Sequence, residues 1–297
     1  METKIIVYIR RGTNRIVRAT LEAGIAGLDA VGEDYQVLYE DEYRPSEIAA
    51  LYGFHKRMSK VGSFRKEMYD TQNSLGHKVL TFERGFINRS IYHSVGWNGI
   101  NGRADFVVKN CPKDRFEKLD VDVRDWKVKG KNILICGQVP WDSNVQHLNT
   151  GYKKRPASVQ GYMDWLSNTI KTVSENTHRK LVFRPHPSFR RRKEWYEVAT
   201  PKWLEWSQNS LAMDLKRAKA VVVFNSNTAV EAAIQGIPVF ACDIGSMAYP
   251  IANTDLTKIN DPITPDRTQW LYDLAYKQWT LEELSQGLFW EHLNGTS

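Results

Sequence analysis

Two short apolar runs that stop abruptly at polar residues do most to constrain this chain. The first, Leu181-Val-Phe-Arg-Pro-His-Pro187, ends in a cation and an imidazole, Arg184 and His186, with a proline on each side of the histidine. The second, Val221-Val-Val-Phe-Asn-Ser-Asn-Thr-Ala-Val-Glu231, ends in small hydroxyl and amide side chains that open a helical pattern. Apolar runs separated by helix-like segments are the pattern of parallel α/β units. In an open α/β sheet, ligands bind where strands end and helices begin, because free N–H groups and the helix dipole there favour anions. Two such ends in one half of the chain predict a site for a nucleotide or another phosphorylated ligand.

The same alternation runs through the rest of the sequence. In the first half, residues 4–9, 36–39 and 77–82 read as strands. Residues 16–30 and 45–52 read as helices, the second entered through Pro45, a residue suited to a first helical turn. Residues 85–105 are rich in Gly, Asn, Ser and Trp and read as a long functional loop. A polar, charged stretch, 112–131, precedes a fresh strand at 132–136, so the boundary falls near 128, giving domains of 1–128 and 129–297. The second domain continues with a helix at 158–175, a strand at 180–183 and a helix at 210–217. A strand at 220–224, a helix at 228–235 and a strand at 238–241 follow. That order is doubly wound. The tail, 266–293, is amphipathic and helical, with Trp270, Leu271, Leu274, Trp279, Leu281 and Leu284 as its buried stripe.

The 297 residues suit two domains, and 42% hydrophobic with 25% charged residues is an ordinary globular balance. No apolar run approaches the roughly 20 residues of a membrane-spanning helix, and the amino terminus reads as a first strand rather than a signal peptide. Cys111, Cys136 and Cys242 lack metal-type spacing, and their odd number argues against a disulfide framework. Both points predict a reducing, cytoplasmic compartment. A net charge of +7 favours a polyanionic partner, and ten tryptophans include candidates for stacking on bases or sugars.

Arg184 and His186, fixed by the prolines, form a donor pair suited to phosphate oxygens, where charge builds as a leaving group departs. The alternative is a salt bridge for Arg184 and a turn cap for His186. The following Arg190-Arg-Arg-Lys193 cluster extends a phosphate surface or is a solvated face. Ser226, Asn227 and Thr228 precede a helix and form an anion pocket, while Thr228 and Glu231 also have capping-box spacing. A ligand role for Glu231 is toward ribose hydroxyls. In Gly137-Gln-Val-Pro-Trp-Asp142, Gln138 orients a substrate and Asp142 is a nucleophile or base, unless it is a turn residue. In the first half, Glu83 just past a strand is an acid/base or acceptor-binding group. Within 96–105, Trp97 offers a stacking face, Arg103 a phosphate contact and Asp105 a second candidate base. The glycines there let backbone approach a ligand, or the stretch is a hairpin packed on itself.

Taken in order, these elements resemble the capsule polysaccharide biosynthesis glycosyltransferases, the Kdo-transferase-like group with the GT-B fold. Glu83-Arg-Gly-Phe86, with Arg89 nearby, matches a Glu-x-Gly-Phe element. Gly137-Gln-Val139 with Asp142, and Pro185-His-Pro187, match two more. The Ser226–Val239 stretch, with Glu-Ala and Gly-x-Pro-Val, matches the last. The ordered set spans roughly residues 80–245. It implies two Rossmann-like doubly wound domains with the active site in the cleft between them, and no metal. His186, Arg184, Ser226, Asn227, Thr228 and Gln138 would bind the donor, and Glu231 its ribose. Asp142, Glu83 or Asp105 would carry the sugar chemistry. The donor the resemblance implies is a nucleotide sugar, UDP-linked or alternatively CMP-linked, used as co-substrate with no other cofactor.

The 85–105 loop is similar to phage-encoded relatives that glycosylate hydroxymethylated pyrimidines in DNA. The expected acceptor is therefore the hydroxyl of a 5-hydroxymethylpyrimidine in duplex DNA, met by Arg89, Trp97, Arg103 and Arg190. Asp142 as nucleophile would retain the anomeric configuration; Glu83 or Asp105 as base would invert it. Rival readings are transfer to a capsule or lipid-linked glycan, a sugar-nucleotide epimerase, and a non-catalytic nucleic-acid-binding module.

Overall fold

The structure is a computed structural model that describes residues 4–54, 60–127, 129–148, 159–189 and 194–295. The chain divides into two units: residues 1–120 with 268–297, and residues 121–267.

The first unit is built on a six-stranded sheet. Its strands are β1 (Ile5–Ile9), β2 (Tyr35–Tyr39), β3 (Ile48–Tyr52), β4 (Lys78–Arg84), β5 (His93–Trp97) and β11 (Gln278–Trp279), in the order β11-β5-β4-β3-β1-β2. β1 to β4 are parallel, β5 runs antiparallel to β4, and β11 runs antiparallel to β5. The helices are α1 (Arg15–Ala30), α2 (Lys60–Ser74), α3 (Asp114–Glu117), α8 (Thr268–Ala275), α9 (Leu281–Ser285) and α10 (Leu288–Asn294). Asn14 caps α1, its side chain accepting from the Ile16 and Val17 N–H groups.

Three expectations are corrected here. Residues 45–52 are not a helix, because 48–52 form β3, with all five residues buried. Ile48, Ala50 and Tyr52 enter one core cluster and Ala49 and Leu51 the other, so the segment has no polar face. A continuous apolar run of this length is the mark of a strand covered on both sides. Residues 85–105 are not one loop, since β5 lies within them and pairs with β4. The tail belongs to the first unit rather than the second, and the boundary lies at 120/121 rather than 128. Two buried polar residues fix the tail. Gln278 Oε1 accepts from the Phe86 and Ile87 N–H groups at 2.7 and 2.9 Å. Arg115 donates to Glu283 Oε1 and to the Gln278 carbonyl, each at 2.8 Å, with its guanidinium 4.1 Å over the Trp279 ring. Of the expected stripe, Leu281 is exposed and the others are buried.

The second unit has β6 (Asn132–Cys136), β7 (Lys180–Arg184), β8 (Glu205–Trp206), β9 (Ala218–Val223) and β10 (Val239–Ala241), all parallel, in the order β10-β9-β6-β7-β8. Its helices are α4 (Gln160–Glu175), α5 (Glu194–Glu197), α6 (Leu211–Arg217) and α7 (Thr228–Ile234). β6, first in the unit, lies beside β9, fourth in the unit, so the winding reverses between them. That reversal is the topological switch point of a doubly wound sheet, where the loops after neighbouring strands part and leave a crevice. Residues 121–127 join this unit through Arg124 N to Ile234 O at 3.0 Å and Lys127 N to Gly236 O at 2.6 Å. No helix among the described residues is long and apolar enough to cross a membrane.

Candidate functional site

At the carboxyl edge of the second sheet, the loops after β6 and β9 are joined across the switch point by a pair of amides. Gln138 donates from Nε2 to Asn225 Oδ1 at 2.8 Å and accepts the Asn225 N–H on Oε1 at 3.0 Å. Its backbone is held as well, donating to Tyr162 Oη at 2.7 Å and accepting from Tyr196 Oη at 2.5 Å. Gln138 is 7% exposed, so its amide is closed onto the framework and does not face a donor. Asn225 extends the network, donating from Nδ2 to the Asn144 carbonyl and to Asp243 Oδ1, both at 2.8 Å. The other Asp243 oxygen lies 3.2 Å from His147 Nε2, and the His147 ring stacks on Phe224.

Arg184 also turns inward. Its Nη1 donates to Asp214 Oδ2 at 2.7 Å and to the Asn209 carbonyl at 2.8 Å. Ser207 and Asn209 donate to the same carboxylate. The phosphate role expected for Arg184 is therefore corrected to a buried ion pair, the arrangement that best satisfies two charges taken out of water.

What stays outward is a smaller set. His186 is half-buried; its Nδ1 accepts the Ser188 N–H at 3.3 Å, which places the ring proton on Nε2 as an available donor. Burial pulls its pKa down from the ordinary value, and the negative charge of Asp142 works in the opposite direction. Asp142 is thus an electrostatic neighbour of His186. It also has the turn role weighed for it, accepting the Asn144 N–H on Oδ1 at 3.1 Å. Ser226, Asn227 and Thr228 are half-buried at the end of β9, and Ser226 Oγ accepts the Thr228 N–H at 3.3 Å. Asn227 is the cap residue of α7, so Thr228 is not, and the capping box expected with Glu231 does not form. Glu231 is exposed on the first turn. A capping box does form elsewhere, at Thr280 and Glu283.

In the first unit, Glu83 lies at the carboxyl end of β4, half-buried, with Oε1 accepting the Arg84 N–H at 2.9 Å. The Tyr52 hydroxyl beside it is held protonated, first by burial and then by the Glu83 charge. Arg89 and Arg103 are exposed. Trp97 offers no stacking face: it is 3% exposed, packs edge-on against Trp290 and donates its indole N–H to the Leu293 carbonyl. Asp105 pairs with Trp97 through backbone and accepts the Val107 N–H on Oδ1, a turn role rather than that of a base. The glycines serve packing. A Cβ on Gly96 would meet Phe106 at 2.9 Å, and one on Gly99 would meet the Arg103 carbonyl oxygen at 2.6 Å. Arg190 lies outside the described residues.

Sequence reading missed Asp214, Asn225, Asp243 and His147. Asn225 sat within the strand end already singled out. Asp243 follows β10 as Asp142 follows β6, so the strand-end rule applied evenly would have found it.

No protein-family model matches the sequence, and neither does any curated protein. Solved structures do match. The β Kdo 2,7 transferase of Thermosulfurimonas dismutans KpsC is similar with a TM-score of 0.53 at 15% identity, covering 99% of this chain and 100% of that one. The β Kdo 2,4 transferase of the same protein gives 0.54 at 11%, covering 97% and 98%. Likeness at such identities is likeness of fold. The chain therefore has the GT-B-like α/β fold, built from two Rossmann-like doubly wound units.

Proposed function

We propose that this protein transfers a sugar from a nucleotide-sugar donor, and that the donor binds at the carboxyl edge of the second sheet. One observation carries the reading: Asp142, His186 and Ser226–Thr228 lie on the segments that follow three adjacent parallel strands, β6, β7 and β9, around a switch point. Helix starts and a neutral imidazole with Nε2–H outward suit donor phosphate. Glu231 would meet the ribose. Asp142, beside His186, would attack the anomeric carbon, forming a glycosyl–carboxylate ester as the bond to the leaving phosphate breaks. An acceptor hydroxyl then attacks the same carbon and loses its proton to solvent as the ester to Asp142 breaks, so the sugar is transferred with retained configuration.

The acceptor we propose is a 5-hydroxymethylpyrimidine of duplex DNA, as in phage-type DNA modification, a reading supported by the net charge of +7. Since Trp97 is buried, it takes no part in holding a base. Thermal-shift measurement with UDP-, CMP- and GDP-linked sugars tests the donor half; no shift with any of them would sink it. Mass spectrometry of hydroxymethylated DNA after incubation with the stabilising donor tests the acceptor half. D142N is expected to keep the thermal shift and lose transfer. Donor turnover with no acceptor present would instead mark an epimerase.

A further inference from the structure

The charge of this chain gathers at the edge of the second sheet opposite the candidate donor site. Three cationic segments arrive there together: Lys127 with Lys129-Gly-Lys131 ahead of β6, Arg179-Lys180 at β7, and Lys216-Arg217-Ala-Lys219 at β9. Strand register makes them neighbours. Asn132 stands opposite Lys180 on one side and Ala218 on the other, and Lys131 N donates to the Arg217 carbonyl at 2.9 Å. Gly130 permits the closeness, because a Cβ there would stand 2.3 Å from Lys219 N. The result is a cleft of about 900 Å³ whose walls carry Lys127, Lys129, Lys131, Lys180, Lys216 and Arg217.

Some of this charge is internal framework. Lys180 pairs with Glu205, the one carboxylate among the described lining residues, and Lys127 donates to the Lys216 and Ala218 carbonyls. Lys129, Lys131, Lys216 and Arg217 are exposed, and their side chains make no salt bridge among the described residues. Like charges held this close in a recess focus a positive potential, which an anion with several closely spaced charges relieves.

We propose that this cleft binds the phosphodiester backbone of nucleic acid, away from the site of chemistry. It deepens the acceptor half of the proposed function and is separable from it, since binding here needs no nucleotide sugar. The recessed shape favours a phosphate chain over a bilayer: a membrane presents a plane and takes up apolar side chains, whereas the described walls offer Met213 as their apolar residue. With β6 five residues long, the cleft and the donor edge lie about 17 Å apart, so the cleft anchors and does not react.

Fluorescence anisotropy of the full chain with a labelled duplex of about 30 base pairs and the matching single strand, across a salt series, tests this. Wild-type protein is expected to bind with a steep salt slope. The triple variant K131Q/K216Q/R217Q should bind at least about tenfold more weakly at physiological salt, with a slope shallower by about three. Its thermal shift with nucleotide should be unchanged, which separates failure here from failure of the donor reading. Should the triple variant not fold, K131Q and K216Q singly should each lower the slope by about one. Unchanged slopes, no binding by wild type, or capture by phosphatidylserine vesicles with none by DNA would each overturn the proposal.

Discussion

The two edges of the second sheet treat polar residues in opposite ways. At the carboxyl edge, polar groups are matched. Arg184 meets Asp214, His147 meets Asp243, and two amides lock the switch point, leaving His186, Asp142 and the β9 end outward. At the amino edge, cations stand together with one carboxylate among the described lining residues. Both edges come from the same strands. A matched edge fixes geometry, because each buried polar group is costly to leave unpaired. An unmatched edge fixes nothing and attracts counter-charge. The contrast is that between a site that must position atoms and a surface that must hold a polymer.

Breaking the matched edge should have the largest effect. D214A leaves the Arg184 guanidinium buried without its partner and should cost about 3–5 kcal/mol, measured by urea unfolding. G130A comes next, at about 1–3 kcal/mol, because the added Cβ meets backbone rather than a side chain that can turn aside. N225A should cost about 1–3 kcal/mol and also weaken nucleotide binding, since both loops of the crevice lose their tie. A cost under 0.5 kcal/mol would deny the network its framework role.

His186 sharpens the comparison through pH. Burial holds its pKa below the ordinary 6.5, so the ring is neutral at pH 7. Bound phosphate favours the imidazolium, so binding takes up a proton. Nucleotide affinity should therefore rise as pH falls through 6.5 and below, and H186Q should flatten that rise, as calorimetry would show. The smallest effect belongs to the unmatched edge. K216Q should change stability by less than about 0.5 kcal/mol, in the stabilising direction, with added salt erasing the gain.

Strand ends were legible in the sequence because an apolar run and the polar residues that stop it are adjacent in the chain. Hence the limits found for β1, β6 and β7 lie within a residue or so of expectation, and His186, Asp142 and Ser226–Thr228 stand where strands end. Which way a side chain turns was not legible. Arg184 and Gln138 have the chemistry of ligands, and their partners, Asp214 and Asn225, are distant in sequence and met only through folding. Trp97 fails for the same reason, its cover supplied by Trp290 and Leu293 from the tail. Composition announced a polyanion partner without a place, because the lysines at the three strand starts are far apart in the chain.

The sequence by itself determined the alternation of strands and helices in the second unit, and so the doubly wound class, because periodicity and strand-end chemistry are local. Only the tertiary structure decided that the tail joins the first sheet, where the winding reverses, which polar groups are matched, and that the cations converge on one edge. Each of those depends on strand order and register, which bring together residues the chain keeps far apart.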